Sequence, residues 1–282
     1  MTEPTAAKAP ASELTRRLQT GLSGAVVLII LIISGGRIGV ALLAAVMSVA
    51  MIYEFVEMTF TLPDRLEKRG LLMGLTWLLA FVNFWIPRAE YELFLICFFL
   101  LFSYFLFTAQ RHDGDFLNTH FQELMYSTFG VVYLGFLPLF LVLMRDLNNG
   151  VHWTLLFLLI VFFGDTGAYF AGKKWGKKKL YPFISPKKTQ EGALGGLALA
   201  ILVTLIYKLI FFSALSWTGM VMIPLIVGIA APVGDLAESF LKRAFNKKDS
   251  GSILPGHGGF LDRFDGVIWS APIMYACIRI FG

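Results

Sequence analysis

The chain has 282 residues, 57% of them hydrophobic and only 15% charged, with a mean hydropathy of +0.70. A water-soluble domain is nearer half apolar and a quarter charged, so these values exclude that class and call for a membrane protein. The formal net charge of +5 is modest, no nucleic-acid partner is expected, and the placement of the charges says more than their sum.

Residues 1–18, with Pro4, Pro10 and Lys8, read as a disordered cytoplasmic lead-in. Arg16 and Arg17 then precede GLSGAVVLIILIIS, which is read as a retained first helix rather than a signal peptide. SGGR offers no small-x-small cleavage site, and a second apolar run follows at once. A spanning helix needs about 20 mainly apolar residues. Nine segments qualify: 19–35, 37–59, 70–87, 91–109, 124–144, 151–172, 193–213, 217–241 and 266–281. The expected fold is therefore an all-α polytopic membrane protein. Residues 19–150 give about five helices, and 151–282 give about four with the chemistry-bearing loops.

With the N-terminus in the cytoplasm, 19 of the 24 Lys and Arg residues fall on the cytoplasmic side, as the positive-inside rule asks. The odd helix count then places the C-terminus outside. Two charged segments share the cytoplasmic face: AGKKWGKKKLYPFISPKKTQEG (171–192) and KRAFNKKDSGSILPGHGGFLDRFDG (242–266). Basic loops of this kind fix topology and attract anionic lipid. Cys97 and Cys277 lie in apolar runs with no metal-binding spacing, and both read as buried hydrophobes.

Acids inside spanning segments are harder to explain by topology. Asp165 sits in VFFGDTGAYF, and Asp235 and Glu238 sit in APVGDLAESF. A carboxylate at membrane depth costs about 2.5–3.5 kcal/mol, so each should face a polar cavity or a cation. Asp235, Glu238 and Ser239 share one helix face by their spacing. LDRFD adds Asp262 and Asp265 at the threshold of the ninth helix. Hard oxygen ligands without Cys or His suit Mg²⁺ completed by substrate phosphates; ion pairs with Lys242, Arg243 or Arg263 are the structural alternative.

PGHGG (255–259) can form an anion-binding concavity from bare backbone amides, with Lys247, Lys248 and Arg263 beside it. His257 reads as a general base, a phosphate donor or a turn residue, with donor preferred because a phosphate nucleophile is already ionised. In SPKKTQEG, Thr189 can cap the seventh helix with Glu191 in its first turn, and Lys187 and Lys188 stand ready for an anion at the same helix end.

GDTGAYFAGKKWGKKKL, SPKKTQEG and SFLKRAFNKKDSGSILPGHGGFLDRFDG together resemble the membrane-integral phosphatidate cytidylyltransferases. The pattern runs through Ser239, Lys242, Arg243, Lys248, Asp249, Pro255, Gly256, His257, Gly258, Gly259, Asp262, Arg263 and Asp265 without departure, and the resemblance covers roughly residues 160–270. It implies an enzyme that joins CTP and phosphatidic acid into CDP-diacylglycerol and releases pyrophosphate. It also implies a homodimer of nine-helix subunits and a metal centre of Mg²⁺ with a companion K⁺. Asp235 and Asp262 are then the metal residues, with Asp265 as ligand or neighbour and Asp165 and Glu238 as further candidates. Lys242, Arg243, Lys248, Arg263, Gly256, His257, Gly258 and Gly259 would hold phosphates. Ser239 belongs with the substrate-binding residues, and Ser185, Lys187, Lys188 and Thr189 are secondary contacts. A bacterial inner membrane is the expected location. The rival readings are a CTP-dependent polyprenol or lipid kinase and a cation-coupled transporter.

Overall fold

The computed structural model describes residues 24, 26–62, 64–86, 89–109, 114–251, 253 and 258–282. The expected lead-in, together with Gly256 and His257, lies outside them. Residues 26–33 are helical, within the first expected span. Next come α1 (Gly36–Thr59), α2 (Arg65–Trp85) and α3 (Glu90–Ala109), then α4 (Gly114–Gly130) and α5 (Leu139–Arg145). The second half holds α6 (Gly150–Trp175), β1 (Lys179–Tyr181), β2 (Ser185–Thr189), α7 (Gln190–Ile210), α8 (Trp217–Ala244) and α9 (Leu261–Phe281). The fold is an all-α polytopic membrane protein. Seven stretches among the described residues are long and apolar enough to cross a bilayer, with α4 and α5 forming one of them.

α1 and α3 follow their sequence-read bounds to within a residue, whereas α2 differs for electrostatic reasons. α2 begins at Arg65 rather than near 70, because Arg65 and Arg69 both pair with Glu57 of α1, Arg65 at 2.8 Å. Lys68, also on α2, is buried and pairs with Glu123 of α4 at 3.0 Å. These charges keep α2 from qualifying as a span on composition alone. Between α4 and α5 the backbone widens into a π-helical turn, Val131–Phe136, where Leu137 N donates to Val132 O at 3.1 Å. Pro138 follows at once and cannot supply the next helical N–H, so the ladder shifts register there.

The second half is built on close backbone approach. α6 carries Gly164, Ala168 and Gly172 at four-residue spacing, and α7 answers with Gly192, Gly196 and Ala200. A Cβ on Gly196 would lie 2.6 Å from the carbonyl oxygen of Gly164, so only glycine permits this crossing. Small-residue stripes of this kind let membrane helices associate by packing where no hydrophobic drive exists. α7 starts where the sequence predicts: Thr189 Oγ1 accepts from Gly192 N at 3.1 Å, with Glu191 in the first turn.

The loop between α6 and α7 departs from expectation. Instead of an irregular charged loop, the chain makes an antiparallel hairpin with Lys179 opposite Thr189 and Tyr181 opposite Ser185. It is mounted firmly. The Glu191 carboxylate accepts from Lys177 N (3.0 Å) and Lys178 N (3.2 Å), and Gln190 N donates to Lys178 O at 2.9 Å. α9 also differs, starting five residues before the expected 266, so Asp262 and Asp265 lie inside the helix rather than before it.

Replacing Gly196 by leucine should force α6 and α7 apart and cost about 1–3 kcal/mol in overpacking. A thermal melt of the detergent-solubilised protein is expected to fall by several degrees; an unchanged melt would contradict this packing.

Candidate active site

A cavity of about 600 Å³ opens between α6, α7, α8, α9 and the hairpin. That volume lies in the range of small-molecule sites, about 300–1,000 Å³. Residues of both charged segments line it, so the two motifs meet at one end of the molecule. Ile160, Val161 and Phe162 give it an apolar wall. Asp165, Asp235, Asp262 and Asp265 supply four carboxylates, and Lys173, Lys187, Lys188 and Arg263 supply four cations. Thr189 completes the hairpin side.

The Asp235 carboxylate meets Lys188 Nζ at 2.7 Å and accepts from Ser239 Oγ at 3.3 Å. Lys188 also donates to the Pro232 carbonyl at 3.3 Å. Pro232 has no N–H to offer the carbonyl of Gly228 one turn back, so the regular helical ladder of α8 is interrupted beside the cavity, which both residues line. Asp165 and Asp265 each feel the Asp235 charge, so the acids repel one another across the opening. Asp265 is buried, and its Oδ1 accepts from Gly266 N at 2.7 Å.

Asp262 is engaged more tightly. Lys242 Nζ lies 2.5 Å from its Oδ1, while Ser250 N (3.1 Å) and Gly259 N (2.9 Å) donate to its Oδ2. The same lysine pairs with Glu238 at 2.6 Å, and Glu238 is only 1% exposed. One ammonium thus serves two carboxylates in a desolvated place. The remaining negative charge rests on the N-terminus of α9, whose dipole and free amides favour anions. The expected ion-pair alternative is therefore realised through Lys242 for Glu238 and Asp262, while Asp235 pairs with Lys188, a cation that alternative did not include.

Glu54, on α1, was not singled out in the sequence. It is 1% exposed and accepts from Ser250 Oγ (3.0 Å), Phe260 N (2.8 Å) and Leu261 N (2.9 Å). Together with Asp262 it takes up the amides of Gly259, Phe260 and Leu261 at the start of α9. Those amides are thus occupied by protein carboxylates rather than open to a phosphate, and the anion cradle expected from PGHGG is not formed by Gly259. Gly259 is required here because a Cβ would sit 1.9 Å from Ser250 Oγ. The signal that could have revealed Glu54 is the rule applied to Asp165: an acid inside an apolar run needs a partner.

The other expected residues divide by place. Ser185 is in β2 and does not line the cavity, nor do Arg243 and Lys248, which are exposed. Arg243 instead donates to the Lys247 carbonyl at 3.0 Å. Gly258 has φ +82° and lies beside the Asp262 carboxylate. Among the described residues, no three His, Cys, Asp or Glu side chains form a group that could hold a metal ion in this arrangement.

Removing the shared cation tests this reading. Lys242→Met should destabilise the protein by about 3–5 kcal/mol, as expected for stranding buried charge. Adding Glu238→Gln should recover part of that loss in a detergent melt. A double variant no more stable than the single one would contradict the triad.

Residues 15–281 match the model of the cytidylyltransferase family. The chain is 32% identical over 280 residues to the phosphatidate cytidylyltransferase of Bacillus subtilis, covering 95% of this chain and 99% of that protein. It is 31% identical over 264 residues to the Staphylococcus aureus enzyme of the same name, covering 92% and 96%. It is 36% identical over 191 residues to the one from Staphylococcus saprophyticus, covering 67% and 70%. The chain belongs to the cytidylyltransferase family.

Proposed function

We propose that this protein is a phosphatidate cytidylyltransferase that transfers CMP from CTP to phosphatidic acid, giving CDP-diacylglycerol and pyrophosphate for phospholipid synthesis. The observation that carries this reading is the cavity, which joins an apolar wall within membrane helices to four carboxylates and four cations. A lipid phosphate and a nucleotide triphosphate are both anions, and the reaction requires them to be brought together. The family match over nearly the whole chain supplies the identity of the two substrates.

Chemically, an ionised oxygen of the lipid phosphate attacks the α-phosphorus of CTP. The bond from that phosphorus to the bridging oxygen of the β-phosphate breaks, and pyrophosphate leaves. No base is needed, because the nucleophile carries its charge already. The task left to the protein is positioning and charge neutralisation. Lys187, Lys188, Arg263 and Lys173 are placed to hold phosphate oxygens, and the apolar wall to hold the lipid's tails. Lys188 can leave Asp235 for a phosphate, since an exchange of partners keeps its charge paired.

Asp235, with Asp165 and Asp265 beside it, offers an all-oxygen donor set whose mutual repulsion a divalent cation would relieve, and Asp262 would join it only by giving up Lys242; this chemistry fits Mg²⁺ and suits K⁺ as a second, weaker cation. When bound, Mg²⁺ would neutralise charge on the triphosphate. The homodimeric state, the bacterial inner membrane as location, nine spans, and a cytoplasmic site and N-terminus with the C-terminus outside all belong to the same proposal. The positive-charge bias supports the orientation and the bacterial relatives support a bacterial membrane; the dimer and the nine spans rest on the motif resemblance and the apolar runs of the sequence.

Detergent-purified protein given phosphatidic acid, CTP and Mg²⁺ is expected to release pyrophosphate, and release should stop with EDTA. Asp235→Asn should lower the rate by at least about a hundredfold while leaving the melt nearly unchanged, because it touches neither Lys242 nor Glu54. Release of CDP in place of pyrophosphate would show a lipid kinase, and full activity in the variant would remove Asp235 from the site.

A further inference from the structure

The outer face of the 179–189 hairpin plays no part in the chemistry above. Strand alternation turns Leu180 toward the cavity, while Lys179 and Tyr181 are exposed. At the tip, Phe183 is 95% exposed. Single exposed apolar side chains are ordinary, but this one has company: Tyr169, Phe170, Trp175 and Tyr181 are all more than half exposed in the same stretch. Lysines interleave them. Lys173 Nζ lies 5.8 Å from the centre of the Tyr169 ring, and Lys174 Nζ lies 4.9 Å from that of Trp175. Lys177, Lys178 and Lys179 are exposed beside them.

Rings with an apolar body under lysine ammoniums suit the boundary between acyl chains and headgroups, where aromatic belts and snorkelling lysines sit. The hairpin cannot stand far out in water, because it joins two apolar helices of spanning length, α6 and α7, and Glu191 clamps its base. Five lysines between 173 and 179 with no acid among them are complementary to anionic headgroups.

We propose that the hairpin lies in the headgroup layer on the site's side of the bilayer, with Phe183 seated beneath the phosphates and Lys177, Lys178 and Lys179 gathering anionic lipid at the cavity's lip. Because Leu180, Lys187 and Lys188 on the same hairpin line the cavity, a lipid held outside is one strand's width from the site. That last step, lipid entry across the hairpin, rests on the function proposed above; the membrane contact does not.

Cys97 and Cys277 are both buried, so Phe183→Cys provides a single accessible thiol for a fluorophore on the full-length protein. In vesicles containing phosphatidylglycerol, lipids with a nitroxide near the glycerol end of the chain should quench the label strongly, and deep nitroxides weakly. Quenching by aqueous iodide instead would overturn the docking. Equal quenching in vesicles of phosphatidylcholine alone would overturn the role of the lysines. A second variant combines Phe183→Ser with Lys177→Gln, Lys178→Gln and Lys179→Gln. It should raise the KM for lipid, as surface mole fraction, by about fivefold or more, with kcat and the KM for CTP unchanged. An unchanged lipid KM, or equal losses for both substrates, would overturn the entry role. The quenching arm needs no activity, so it stands or falls apart from the proposed reaction.

Discussion

A single buried carboxylate, Glu54, ties the two halves of this protein together. Burying an ion costs several kcal/mol unless its lone pairs are filled. Here one hydroxyl and two amides fill them, and the positive end of α9 lies against the charge. The donors come from Ser250, Phe260 and Leu261, about two hundred residues away in sequence. The returning loop therefore has its place fixed at both ends by α1. Gly259 and Gly251 crowd against Glu54 so closely that neither can carry a side chain without displacing it.

The site inherits its shape from that anchor. With the start of α9 held, Asp262 is presented to Lys242 and Asp265 faces the cavity from one turn further along. Lys242 then balances Glu238 and Asp262 together. This triad is a structural wall, and in the proposed reaction the working charges are those in front of it: Lys188 on Asp235, with Lys187 and Arg263 nearby. The division explains how so many acids survive at the end of a membrane bundle. Some are consumed by helix ends and lysines, and the rest face the polar opening of the cavity. α6 and α7 supply the opposite wall, brought together by glycine rather than by charge.

Much of this was legible in the sequence. Apolar runs of spanning length located the helices, the Thr189 cap placed the start of α7, and the intramembrane acids pointed to the region where the cavity lies. The early start of α9 was hidden because Phe260 and Leu261 look like loop residues until Glu54 takes their amides. The hairpin was hidden because strands of three and five residues, rich in lysine and broken by Pro182 and Pro186, carry no period-two hydrophobic signal. The partners of Glu54 could not be read at all, since nothing local to α1 indicates that a distant helix terminus will need an anion. The assignment of Asp262 shows a related limit. Residue type alone fits a metal ligand, but only the fold shows that two amides and Lys242 already hold it.

The most direct measurement of this account is hydrogen–deuterium exchange across residues 245–270 in the native protein and in Glu54→Gln. An amide side chain keeps the shape but loses the charge and presents one acceptor oxygen instead of two. Exchange should rise by about tenfold or more in the peptides containing Ser250, Phe260 and Leu261, as expected for the loss of about 1.5–3 kcal/mol of charged hydrogen bonding, while α6 and α7 remain protected. Unchanged protection of that segment in the variant would contradict the anchor and, with it, the account of how the site is assembled.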